Sequence, residues 1–142
     1  MSRRAVLDAE AVVALLSPAH GSHRQVLAVL EAARRLGRDV AVANVTLAEL
    51  YRSAGRTAAV DGLLAREREG LLLRDTDRSL ARLVGGVLAG AGAGSEDMAD
   101  AHAVAVAVEA GGGLVVTGDP SDLTRLAEGY ANVIVVPLGQ AA

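Results

Sequence analysis

The chain has 142 residues, 51% of them hydrophobic, and a formal net charge of −3. That length suits one domain with a buried core, and no stretch reaches about 18 uncharged apolar residues, so no transmembrane helix is expected. Cysteine is absent, which excludes disulfides, thiolate metal sites and a cysteine nucleophile.

All 14 basic residues are arginine. Without lysine the chain cannot form a Walker A phosphate loop. The acidic balance argues against a broad basic nucleic-acid surface, though not against a local one. Tyr51 and Tyr130 are the only aromatics, so a base-stacking platform is not expected. After the basic start, only three apolar residues precede Asp8. That is too short for a signal peptide, and a cytoplasmic location is expected.

In chain order, "RAVLD" (4–8) reads as a strand and "AEAVVALL" as a helix, followed by a loop from Pro18 to Ser22. Val26, Leu27, Leu30 and Ala33 recur at helical spacing, predicting a helix over 23–36 that Gly37 ends. "VAVAN" (40–44) predicts a second strand, "TLAELYRSA" (46–54) a helix, 57–68 another helix and "LLL" (71–73) a short strand. A helix over 76–88 leads into the glycine-rich stretch 86–97. That stretch follows a helix rather than a strand, so it reads as an interhelical turn and not as a phosphate loop. The remaining elements are a helix over 96–110 stopped by Gly111–Gly113, a strand "LVVTG", a helix over 120–128 and a last strand "VIVV" (133–136). Strand–helix alternation without repeat or linker predicts a single α/β domain over 1–142, a central parallel sheet flanked by helices. The strand C-termini of such a sheet share one edge, where ligands bind.

Four acids converge on that edge. Asp8 ends the first strand, and Asp119 follows a later one in "VVTGDPSDL". Asp100 lies in the opening turn of the 96–110 helix. Glu49 shares a helical face with Thr46 and Ser53, away from the Leu47/Leu50 stripe. Each acid has a bland alternative. Asp8 and Asp119 could cap helices, the latter with Pro120 at the first helical position. Asp100 could merely favour a helix N-terminus beside Asp97, and Glu49 could pair with Arg52. Together, clustered carboxylates raise one another's pKa unless a cation compensates, and oxygen-only ligation suits Mg²⁺ or Mn²⁺. Asp97 and Asp122 are outer candidates. His20 and His23 have no third ligand nearby, and His102 should face away from Asp100.

"VLDAE", "TLAELYR", "DAHAVAVAVEAGG" and "VVTGDPSDL", in this order, resemble the PIN domain, and within it the VapC-type toxins of bacterial toxin–antitoxin pairs. The resemblance spans essentially the whole chain. It implies a Mg²⁺-dependent ribonuclease, usually a homodimer, held inactive by a VapB-type antitoxin. Asp8, Glu49, Asp100 and Asp119 then form the catalytic and metal-binding set. The resemblance further implies that metal-activated water hydrolyses RNA and leaves a 5′-phosphate, and Thr117 is expected to orient a carboxylate or water. One departure stands out: related domains often carry Ser or Asn two positions after the first Asp, where this chain has Glu10. Glu10 keeps open a catalytically inactive PIN-like binding module. An aspartate-based phosphotransfer domain is the third reading, disfavoured by the missing strand-end lysine. The helices over 23–36 and 46–54 are expected to form a groove for an amphipathic antitoxin segment.

Overall fold

The computed structural model describes residues 3–139. The apolar runs become five parallel strands, β1 (Arg4–Leu7), β2 (Val40–Ala43), β3 (Leu72–Arg74), β4 (Gly113–Thr117) and β5 (Val133–Pro137). Their order in the sheet is β3-β2-β1-β4-β5. The chain first builds outward from β1 to β2 and β3, then returns to place β4 and β5 on the other side. The connections therefore diverge between β1 and β4, which opens a crevice at their carboxyl ends. Leu7 pairs with Val116, so Asp8 and the Thr117–Asp119 turn leave the sheet side by side at that crevice.

Seven helices cover the two faces: α1 (Ala9–Leu16), α2 (His23–Arg35), α3 (Asn44–Tyr51), α4 (Thr57–Arg66), α5 (Arg78–Ala91), α6 (Met98–Glu109) and α7 (Pro120–Ala127). Short 3₁₀ turns at 54–56 and 95–97 precede α4 and α6. Alternation along the strands divides the core in two. Val6, Ala41, Ala43 and Val115 face α5, α6 and α7. Ala5, Leu7, Val40, Val42 and Val116 face α1 through α4. α6 is apolar on nearly all sides and is buried from Ala101 to Ala107, as befits a helix held between the sheet and its neighbours. Its alanines let the backbone lie close to the strands, which carries Asp100 to the sheet edge.

The glycine-rich stretch differs from expectation. α5 continues to Ala91, and only Gly92, with φ of 61°, turns the chain out of it. The helix survives because Val84 and Val87 are buried and Leu88 and Ala91 pack on the core, whereas Gly85, Gly86 and Gly90 have open space around them. Packing outweighs about 1 kcal/mol of intrinsic penalty per glycine. Gly92 then closes the helix in the left-handed conformation that glycine adopts without strain. A different requirement operates at Gly113, where a Cβ would come within 2.1 Å of the Arg4 carbonyl oxygen.

An ion network ties distant elements together. Glu109, at the end of α6, accepts from Arg4 Nη1 at 2.6 Å and from Arg74 Nε at 2.8 Å. Arg4 also donates to the Val106 carbonyl at 3.1 Å. One carboxylate thus links the first strand, the third strand and the buried helix.

Candidate active site

Asp8 has extended backbone angles directly after β1 and serves as the N-cap of α1. Its Oδ1 accepts from the Ala11 amide at 2.9 Å, and its Oδ2 accepts from the Gly118 amide at 3.1 Å. The Thr117 hydroxyl also donates to this carboxylate while accepting the Asp119 amide at 2.8 Å. Burial raises the Asp8 pKa, and these three donors offset part of that rise. Asp8 therefore caps a helix and faces the cleft at once. The two roles are not exclusive.

Asp119 behaves differently. It stands at the N-cap of α7, with Pro120 opening the helix, yet its side chain makes no capping hydrogen bond. Burial, the neighbouring Asp122 carboxylate and the charge of Asp8 all raise its pKa. The Asp122 backbone amide offsets part of that rise, and the side chain lines the cleft.

Asp100 projects from the first turn of α6. Burial, then the charges of Asp119, Asp8, Asp122 and Glu49, lift its pKa to about 7. Glu49 reaches the same place from α3, beside buried Thr46. One cleft of about 570 Å³ is lined by Asp8, Glu49, Asp100 and Asp119, together with Glu10, Glu96 and Asp122. Among the described residues no arginine or histidine forms an ion pair with Asp8, Glu49, Asp100 or Asp119. The donor set is all oxygen, closely spaced and short of positive charge. It fits a hard divalent cation such as Mg²⁺ or Mn²⁺.

The outer acids are held by the protein itself. Asp97 is buried and accepts from Arg125 Nη2 at 3.0 Å. Carboxylate oxygens of Asp97, Asp100 and Asp122 nevertheless lie within 4.8 Å of one another. Glu10 lines the cleft, its stem against Gly118, where a Cβ would meet Glu10 Cγ at 2.6 Å. Its Oε1 lies 3.0 Å from His20 Nε2. His20 Nδ1 accepts the Ser22 amide at 3.0 Å, so neutral His20 carries its proton on Nε2 and donates it to Glu10.

Spacing alone posed His20 only as a metal ligand, and it missed both tethers, which join residues 28 and 10 positions apart. His23 bonds the Ala14 carbonyl at 2.8 Å. His102 is occupied by the Met98 carbonyl and the Thr76 hydroxyl. The groove expected between the helices over 23–36 and 46–54 is not the apolar space found beside α2, which no residue of α3 lines. Ala28, Val29, Ala32 and Leu36 on the α2 side face Leu114 and Val136 of the sheet across a space of about 480 Å³.

The PIN domain family model matches residues 5–129. The chain belongs to the PIN-domain family. Among solved structures, this PIN domain is similar to a chain in the crystal structure of VapBC2 from Rickettsia felis bound to a DNA fragment from the promoter. The identity there is 18%, with a TM-score of 0.63 and coverage of 95% of this chain and 98% of that one. It is also similar to a chain in the structure of FitAB bound to IR36 DNA, at 16% identity and a TM-score of 0.63, covering 97% of each chain. A third is FitAcB from Neisseria gonorrhoeae, at 18% identity and a TM-score of 0.58, covering 93% of this PIN domain and 96% of that chain. At these identities the likeness is one of fold. No curated protein matches the sequence.

Proposed function

We propose that this PIN domain is a Mg²⁺-dependent endoribonuclease, with Mn²⁺ as a substitute, and the toxin of a type II toxin–antitoxin pair. The observation that carries this reading is Asp100, whose carboxyl is driven to about 7 by burial and by the charges of four other acids in one cleft. A site that unfavourable for bare carboxylates is well suited to a cation. Asp8, Glu49, Asp100 and Asp119 would hold it. When bound, the cation orients the scissile phosphate, acidifies an attacking water and stabilises charge on the phosphoryl oxygens. The protein's own part is positional. Ala11, Gly118 and Thr117 fix the Asp8 carboxylate, and Thr117 also anchors the turn that carries Asp119.

A second reading, an inactive PIN-like binding module, rests on Glu10 filling a position that is often small and polar in related domains. The His20 tether at 3.0 Å speaks against that module, because it draws the Glu10 carboxylate to the cleft wall. We further propose a homodimer in the cytoplasm, restrained by a VapB-type antitoxin that brings a basic side chain to the acids. The antitoxin complexes among the solved structures support that partner. Among the described residues no helix is long and apolar enough to cross a membrane.

The test is cleavage of an RNA oligonucleotide mixture in Mg²⁺, Mn²⁺ or EDTA, with end analysis of the products. Metal-dependent cuts bearing 5′-phosphates, lost in Asp100→Asn, support the assignment. Metal-independent cleavage, or no cleavage by the purified antitoxin-free chain in any metal, overturns it.

A further inference from the structure

Asp97 is unusual among the acids near the cleft. It is more deeply buried than its neighbours, at 6% exposure, and it stands at the N-cap of α6 without using its side chain to cap. A carboxylate in that position demands compensation. Arg125 supplies it from α7, with Nη2 at 3.0 Å from Asp97 Oδ2 and 3.7 Å from Asp122 Oδ1. The guanidinium remains substantially solvated, with 44% of its side chain exposed. An oxygen of Asp97 also lies within 4.8 Å of oxygens of Asp100 and Asp122. That spacing would let the three acids share a cation. Asp97 thus has two claimants, a fixed arginine and a metal ion, and only the arginine is part of the fold.

We infer that Arg125 acts as a built-in counter-cation that withholds Asp97 from metal coordination and so limits how much divalent cation the cleft binds. This inference rests on the metal reading proposed above and adds a division of labour among the acids. Among the described residues Asp8, Glu49, Asp100 and Asp119 pair with no protein cation, and they form the open cradle. Asp97 is committed to Arg125, and Asp122 lies between the two sets. Arg125 is a positioning residue here, because it acts through Asp97 and not on substrate. Its removal leaves a buried carboxylate whose compensation must come from elsewhere, and the nearest available source is a cation shared with Asp100 and Asp122.

The test is titration of Mn²⁺ into metal-free protein by calorimetry, with melting curves in parallel, for wild type, Arg125→Leu, Asp97→Asn, the Arg125→Leu/Asp97→Asn double variant and Asp100→Asn. Arg125 is half exposed, so Arg125→Leu should fold; circular dichroism checks this. Expected are near wild-type Mn²⁺ binding in Asp97→Asn and, in Arg125→Leu, affinity tighter by about tenfold or a second bound equivalent. Metal should also restore the melting temperature of Arg125→Leu more than it raises that of wild type. The double variant should return to wild-type binding, because the site that Arg125 guards is gone. Unchanged binding in Arg125→Leu, or a loss in Asp97→Asn as large as in Asp100→Asn, overturns the inference while leaving the metal reading intact. If neither wild type nor Arg125→Leu binds Mn²⁺, both fall. Binding by Arg125→Leu alone would support the guarding role and overturn the cradle.

Discussion

Gly118 donates its amide to Asp8 Oδ2 at 3.1 Å while a Cβ at Gly118 would collide with the stem of Glu10. One backbone position thus holds the first acid of the cleft and leaves room for the residue two places after it. The strand-end turn after β4 must pass close to α1, and glycine permits that approach.

Replacing Gly118 by alanine places a methyl group 2.6 Å from Glu10 Cγ and 2.7 Å from Glu10 Cβ. Cβ is fixed to the α1 backbone, so rotation of the Glu10 side chain cannot relieve the whole clash. The variant should lose about 1–3 kcal/mol of stability, and RNA cleavage should fall because relieving the clash moves the turn whose backbone amide holds the Asp8 carboxylate. Chemical denaturation and a cleavage assay check both effects. Wild-type stability in Gly118→Ala would show that the turn yields more easily than this packing implies.

Much of the fold was legible because the two periodicities differ so clearly. Short Val- and Ala-rich runs became strands, and the wider apolar spacing became helices. The acids on the crevice were legible for a topological reason: residues that follow parallel strands leave the same sheet edge, whatever their separation in sequence. Hidden features depended on packing between elements. Continuation of α5 to Ala91 follows from its burial against α6 and α7, which glycine content alone does not reveal. The Asp97–Arg125 and Glu10–His20 contacts join residues on different elements, so no local pattern announces them. The α2 groove was half legible: its apolar face could be read, but not that the sheet would supply the opposite wall.

The metal-cradle reading separates catalysis from folding. In Asp8→Asn the cap to Ala11 can persist through the amide oxygen, whereas the new NH₂ group cannot accept from Gly118. Relief of a buried charge offsets that loss, so stability should change by no more than about 1 kcal/mol. RNA cleavage in Mg²⁺ should drop by about a hundredfold or more. If Asp8→Asn and Asp100→Asn both cleave at the wild-type rate while folded, the acids are structural.

Glu109 is expected to matter for stability and not for the chemistry. Arg74, then Arg4, holds its carboxyl below the usual range. A depressed carboxylate contributes stability above its unfolded pKa of about 4.5, and that contribution is lost as pH falls through the folded value. Glu109→Gln leaves two partly buried arginines facing each other, with only the exposed Asp39 and Asp77 as counter-charges, a loss of about 1–3 kcal/mol. Urea denaturation at pH 7 should register the loss, and at low pH the gap between the variant and wild type should narrow. RNA cleavage per folded molecule should be unchanged.

Asp100 should give the opposite pH signature. Its carboxyl titrates near 7 in the folded protein, against 3.8 ordinarily, so the native state binds this proton more tightly than the unfolded chain does. The resulting stabilisation is complete below the unfolded value and is lost as pH rises through about 7. Burial and the charges of Asp119, Asp8, Asp122 and Glu49 are responsible, and asparagine at position 100 removes the group that feels them. In EDTA, Asp100→Asn should therefore melt increasingly above wild type as pH is raised from 4 to 8. Referencing each pH to wild type cancels the opposing contributions of Asp77 and Glu109, which are common to both proteins. Saturating Mg²⁺ should narrow the difference at pH 8 by stabilising wild type through the ionised carboxylate. Calorimetric melting across that range, with and without metal, decides the matter: a pH-independent offset between the two proteins would remove Asp100 from the centre of the charged cleft.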